Sequence, residues 1–127
     1  MDLSQISDSE ILYRVVRKSY PDAFINGKAT AAAFIDNNGT SVDRDGGREE
    51  SDIITKLRDR FSKRDDYKTA LKIGAGTCFE IGTYPNPVNN KKNEYHAEIW
   101  DSVDVIEISL VKAMQLADQC VEVISGC

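Results

Sequence analysis

Leu71-Lys72-Ile73-Gly74-Ala75-Gly76-Thr77-Cys78-Phe79-Glu80-Ile81 is the stretch on which the reading of this chain turns. Leu71, Ile73, Ala75, Thr77, Phe79 and Ile81 fall on one side and polar or very small residues on the other, the period of a half-buried strand. After a polar stretch holding Pro85 and Pro87, Tyr95-His96-Ala97-Glu98-Ile99-Trp100 forms a second strand-like run with the only histidine and the only tryptophan of the chain. If the two runs pair antiparallel, Phe79, Ile81, Tyr95, Ala97 and Ile99 share the buried face. Glu80, His96 and Glu98 then stand together on the other. The joining segment, Thr83 to Glu94, is about 12 residues long, more than an ordinary connection, and is a candidate binding loop.

Toward the N-terminus, Ser7-Asp8-Ser9-Glu10 has the form of a capping box. Ile11 to Arg17 follows as a short turn giving way to a strand, although the spacing of Ile11, Leu12, Val15 and Val16 also suits a helix. Tyr20-Pro21 ends that element. Asn26-Gly27 marks a turn, and Ala29 to Ile35 reads as a strand of small residues. Asn38-Gly39 tolerates the positive φ angles of a tight turn, which predicts a hairpin of Ala31–Ile35 with Thr40–Arg44. Ile53, Ile54, Leu57 and Phe61 make the stripe of a helix over about 49–64. A second helix, over about 103–125, is predicted from Ile106, Leu110, Ala113, Met114, Ala117, Cys120 or Val121, and Ile124, with Met114 as core filler. The order implies an α+β domain spanning 1–127. Its antiparallel or mixed sheet has four to five strands, with both helices packed on one face.

Composition narrows the function classes. The 127 residues are 41% apolar and 29% charged, ordinary for a folded domain. A formal charge of −5 disfavours nucleic acid, since phosphate backbones are held by clustered Lys and Arg. The basic run from Lys56 to Lys68 is interrupted by Asp59, Asp65 and Asp66 and reads as a solvated face. Met1 to Gln5 lacks the charged start and apolar run of a secretory leader, and no stretch approaches a membrane span. Cys78, Cys120 and Cys127 show neither CxxC spacing nor an even count, so a cytoplasmic setting without a disulfide framework is expected. Cys120 and Cys127 on one continuous helix stand too far apart to bridge.

The row Glu80, His96 and Glu98 carries the strongest candidate chemistry. A carboxylate beside an imidazole orients the ring and raises its basicity, which suits a general base. The same trio offers one nitrogen and two oxygens to a divalent metal, fewer imidazoles than zinc prefers, and no cofactor or metal is expected. Gly74-Ala75-Gly76 lacks the third glycine of a dinucleotide fingerprint and points to close packing. Cys78 has no activating neighbour in sequence. Ser41 and Ser109 lack a nucleophile elbow. Asp43 and Asp45 open like a calcium loop, but Arg48 and Ile54 occupy the positions that need glycine and glutamate. For partner contacts the candidates are Tyr84, Asn86, Asn90, Tyr95 and Trp100.

Ala33-Phe34, Ser41-Val42-Asp43 and Asn93-Glu94-Tyr95-His96-Ala97 resemble motifs of small bacterial proteins of unassigned function. Those proteins share an Ala-Phe, a Ser-Val-Asp and an Asn-x-x-His-Ala before a closing helix. The resemblance implies a bacterial cytosolic protein. Leu12-Tyr13-Arg14-Val15 is similar to the opening strand of ADP-ribosyltransferase-like toxins of the RES type, in which an arginine contacts the dinucleotide. The glycine-tryptophan stretch that should follow is missing here. Two expectations result. One is an acidic accessory or immunity-like module that binds a protein partner or associates with itself. The other is a small hydrolase or transferase using His96 with Glu80 and Glu98, ADP-ribosyltransferase-like if Arg14 takes part.

Overall fold

Ile11-Leu12-Tyr13-Arg14-Val15-Val16-Arg17 is rich in β-branched and aromatic residues and forms a central strand. The computed structural model describes residues 5–88 and 92–123. Strand β1 (Ile11–Arg17) is followed by the short pair β2 (Phe24–Ile25) and β3 (Lys28–Ala29), then β4 (Thr40–Arg44) and helix α1 (Glu50–Ser62). Next come β5 (Tyr67–Gly74), α2 (Ala75–Ile81), β6 (Tyr84–Pro87), β7 (His96–Trp100), α3 (Leu110–Gln119) and β8 (Val121–Val123). Six strands form one antiparallel sheet in the order β6-β7-β4-β1-β5-β8, and β2 with β3 forms a separate hairpin. The α+β class therefore stands, with more strands than expected.

Each face of the sheet has its own core. Leu12 and Val16 of β1, Val42 of β4, Leu71 and Ile73 of β5, and Ala97 and Ile99 of β7 pack with Phe34, Cys78, Ala113 and Leu116. Tyr13 of β1, Ala70 of β5 and Val123 of β8 pack on the opposite face with Ile53, Ile54 and Leu57 of α1. Each fully buried aliphatic side chain contributes about 1.5–3 kcal/mol. The helices consequently lie on both faces rather than on one, with α1 against one and α2 and α3 against the other. Among the described residues the buried apolar partners of α1 lie on β1, β5 and β8, and α1 reaches β4 through the Arg60–Asp43 pair.

Several expected elements change for local reasons. The strand predicted over 71–81 stops at Gly74. Ala75 donates its amide to the Glu10 carbonyl (2.8 Å) and Gly76 to the Asp8 carbonyl (3.0 Å), which turns the chain into α2. A Cβ at Gly76 would lie 3.1 Å from the Asp8 oxygen, so the glycine permits this close approach. Glu80 is therefore helical. The expected pairing of 71–81 with 95–100 is absent, because β5 runs between β1 and β8 while β7 runs between β4 and β6. The long loop in turn contains β6, whose Tyr84 and Asn86 lie opposite Trp100 and Glu98.

Ala31–Phe34 forms a 3-10 turn rather than a hairpin strand. The tight hairpin sits instead at Asn26-Gly27, with φ of 54° and 75°, joining β2 to β3. The helix predicted over 103–125 shrinks to Leu110–Gln119. The Asp101 carboxylate accepts the Ser109 amide (2.9 Å) and pairs with Lys112 (3.3 Å). Those bonds hold its pKa below the ordinary carboxylate value and set the start of α3. At the other end Val121–Val123 extends to pair with β5 and bury Val123. Cys127 lies outside the described residues.

The N-terminal segment is tied down by a buried ion pair. Arg44, with a fully buried side chain, donates from Nε and Nη2 to the two Glu10 carboxylate oxygens at 2.8 and 2.9 Å. It also reaches the Gln5 carbonyl at 2.6 Å. Glu10 accepts the Ser7 amide (2.8 Å), which is half of the expected capping box. Arg44→Met should strand a buried carboxylate and destabilise the fold by about 3–5 kcal/mol in urea melts. The double variant Glu10→Leu/Arg44→Met should recover most of that loss.

Candidate anion-binding cleft

β1 and β4 pair only at Leu12–Arg44 and Tyr13–Asp43. Beyond Tyr13, β1 continues along β5 through the irregularity at Val16/Arg17, and β4 continues along β7, so the sheet parts between them. Arg14 fills the parting. Its Nε donates to the Ala33 carbonyl and its Nη1 to the Ser41 carbonyl (2.8 Å), bonds that take the place of ladder rungs. Among the described residues Arg14 makes no ion pair. Burial draws its pKa down to about 10, against the opposing pull of Asp36 and Tyr20. The residue nevertheless keeps part of its surface open, toward a cavity of about 200 Å³.

The cavity joins the two sides of the sheet. Arg17, Arg60, Phe61, Asp43 and His96 line it on the side of α1, and Ala23, Ala33, Tyr20 and Asp36 line it on the side of the 3-10 turns. Arg17 is fixed by Asp66 (2.6 Å) and by the rings of Tyr20 and Phe61, whose centroids lie 5.0 and 5.8 Å from its guanidinium carbon. Asp43 is buried. It accepts from Asn93 (3.1 Å) and sits near Arg60 (3.6 Å) and Arg48 (3.9 Å), so its charge is compensated. Among the described residues Arg14 is the guanidinium of the cleft with unused donors and no carboxylate within ion-pair distance, Asp36 acting on it from further off.

Period-2 alternation puts His96 and Glu98 on one face of β7, opposite Asp43 and Ser41 of β4. His96 reaches the cavity, and its ring makes no hydrogen bond to a described residue. Glu98 lies against Gly39, where a Cβ would meet its Oε1 at 2.3 Å, and it accepts the Trp100 indole N–H at 2.8 Å. Glu80 is not brought to this row. It stands on α2, beside Gln115 and Asp118, in the layer on the other face of the sheet.

The proposed partner residues divide between two places. Tyr84 and Trp100 form a cross-strand aromatic pair with centroids 6.3 Å apart, and Asn86 lies opposite Glu98. Tyr95 stacks under Arg48 at 3.8 Å and against Gly46. Asn90 lies outside the described residues. Cys78 is fully buried, and burial pushes its thiol up to about 12, the opposite of an activated nucleophile. Asp45 accepts the Ile11 amide (3.2 Å), a strand contact in place of a calcium loop. Among the described residues no group of three or more His, Cys, Asp or Glu could hold a metal, and no helix is long and apolar enough to cross a membrane.

Sequence reasoning placed His96 and Glu98 but gave Arg14 only a family resemblance. The missed signal is positional. In β1, Leu12, Arg14 and Val16 share one face, so a charge occupies the middle of an apolar row. No protein-family model matches the chain, and no curated protein or solved structure matches it.

Proposed function

We propose that the protein is a small hydrolase or transferase that holds an anionic group of its substrate on Arg14 and uses His96 for proton transfer. The observation that carries this reading is the Arg14 guanidinium. It is locked by two backbone carbonyls, it lacks a carboxylate partner among the described residues, and it faces a cavity that His96 also lines. A fixed, incompletely hydrogen-bonded guanidinium is suited to phosphate or carboxylate. Histidine is the side chain best suited to moving a proton near neutral pH. Glu98 supports the reading as a neighbour on the His96 face, and Glu80 has no part in it.

Calorimetric titration with inorganic pyrophosphate tests the anion site. The wild-type chain should bind, and Arg14→Gln should weaken binding by about 10- to 100-fold while the chain still unfolds cooperatively, at a temperature lowered by loss of the bonds to Ala33 and Ser41. His96→Gln should keep the affinity while losing about 10²- to 10⁴-fold of any phosphoester turnover found in a chromogenic screen. Pyrophosphate affinity indifferent to Arg14→Gln would sink the reading.

The partner-binding reading is favoured by a separate observation, the outer side of α3. Leu110, Val111 and Met114 are 60%, 66% and 57% exposed, and Val103 and Ile106 in the approach to the helix are also exposed. Met114 is thus not core filler. Lys112 bonds back to Gly82 and Asp101, which leaves this side free of its charge. We take the partner to be a second copy, because this apolar side is where two chains of net charge −5 meet with least repulsion. Sedimentation should show a concentration-dependent dimer that Met114→Glu dissociates. A wild-type monomer at all concentrations contradicts this.

A further inference from the structure

We infer that the anion held by Arg14 belongs to a phosphomonoester carried on a polyhydroxylated, sugar-like body. This inference rests on the anion-site reading and adds the class of substrate.

Arg14, Tyr20, Ala23, Ala32 and Asp36 line two adjoining hollows, the cavity at the parting of the strands and a larger groove of about 680 Å³ outside it. The guanidinium therefore stands at a junction. On the inner side, apart from Asp36, which lines both hollows, the charged neighbours are cationic or compensated: Arg17 and Arg60 face the cavity, and Asp43 is already engaged by Asn93 and two guanidiniums. The groove has the opposite character. Among the described residues its charged side chains besides Arg14 are Asp22, Asp36 and Glu107, joined by the side-chain amides of Asn37 and Asn38.

This division of charge selects a ligand. A second phosphate or carboxylate in the groove would face three carboxylates and be repelled. Hydroxyl groups would instead donate to those carboxylates and accept from the amides, as polar groups at small-molecule sites fix orientation. The groove is larger than an inorganic phosphate requires and has room for a monosaccharide. Asp36 is placed to act at the junction, since it lines both hollows and its charge is felt by Arg14. One of its oxygens accepts the Asn38 amide (2.9 Å), which fixes the carboxylate with the other oxygen free for a ligand hydroxyl. Tyr20 flanks the same junction, with Arg17 over its ring and more than half of its surface exposed.

The test compares inorganic phosphate, glucose 6-phosphate and glucose by calorimetry on the wild-type chain and on Asp36→Asn, which keeps the acceptor for Asn38. Glucose 6-phosphate should bind at least about tenfold more tightly than inorganic phosphate, a difference expected from charge-assisted bonds to the hydroxyls. Asp36→Asn should change the two ligands in opposite directions. Inorganic phosphate should bind more tightly because a repelling charge is gone, and glucose 6-phosphate should bind more weakly because an acceptor is lost. Equal affinities of the two phosphates, or a glucose 6-phosphate affinity untouched by Asp36→Asn, would overturn the sugar assignment and leave the anion site standing. If neither phosphate binds, or both ignore Arg14→Gln, the anion reading itself fails. Tight binding of glucose alone would contradict the central place given to Arg14.

Discussion

An arginine standing in for backbone is the interaction on which the candidate site depends. Where β1 and β4 cease to pair, the Ala33 and Ser41 carbonyls would face a gap, and Arg14 donates to both. Unmet backbone groups are costly in a protein interior, so the parting of a sheet needs such a filler. A guanidinium suits this task because it has five donors in a rigid fork. Two of them satisfy the carbonyls, and among the described residues the rest have no partner. The same residue thus closes the sheet and, in the function proposed above, holds the anion.

The surrounding architecture explains why this gap remains accessible. Helix α1 covers Tyr13, Ala70 and Val123, and among the described residues it meets β4 through the polar Arg60–Asp43 pair. Beside the gap that face of the sheet carries Asp43, His96 and Glu98, polar residues that alternate with the buried Val42, Ala97 and Ile99. On the other side of the sheet the 3-10 turn at Ala31–Phe34 brings the Ala33 carbonyl to Arg14. Small alanines let that turn approach closely. The Arg44–Glu10 pair holds the N-terminal segment onto the end of β4, and the bonds from Ala75 and Gly76 to Glu10 and Asp8 hold it onto the start of α2, which keeps β1 in register.

What was legible in the sequence was local. Helix α1 showed its stripe in Ile53, Ile54 and Leu57, and β1 its β-branched run. His96 and Glu98 shared a face through period-2 alternation alone. Strand partners were not legible, because any two half-buried strands satisfy the same pattern. The alternation from Leu71 to Ile81 was broken by hydrogen bonds from Ala75 and Gly76 to residues more than sixty positions earlier in the chain, which no window around Gly74 contains. Near the C-terminus, Ala113 and Ala117 of the expected stripe are buried, while Leu110 and Met114 of the same stripe are exposed and Leu116, outside it, is buried. The apolar residues run more than half-way round this short helix, so spacing alone does not choose the side that meets the core.

Arg14 was visible as an anomaly only once Leu12 and Val16 were known to be buried beside it. The most direct measurement is a crystal structure of the chain soaked in tungstate, with the anion located by its anomalous signal. A tungstate bonded to the Arg14 guanidinium at the parting of β1 and β4 is the predicted result. Tungstate bound elsewhere, with none at Arg14 in crystals that leave the cleft open, would contradict it.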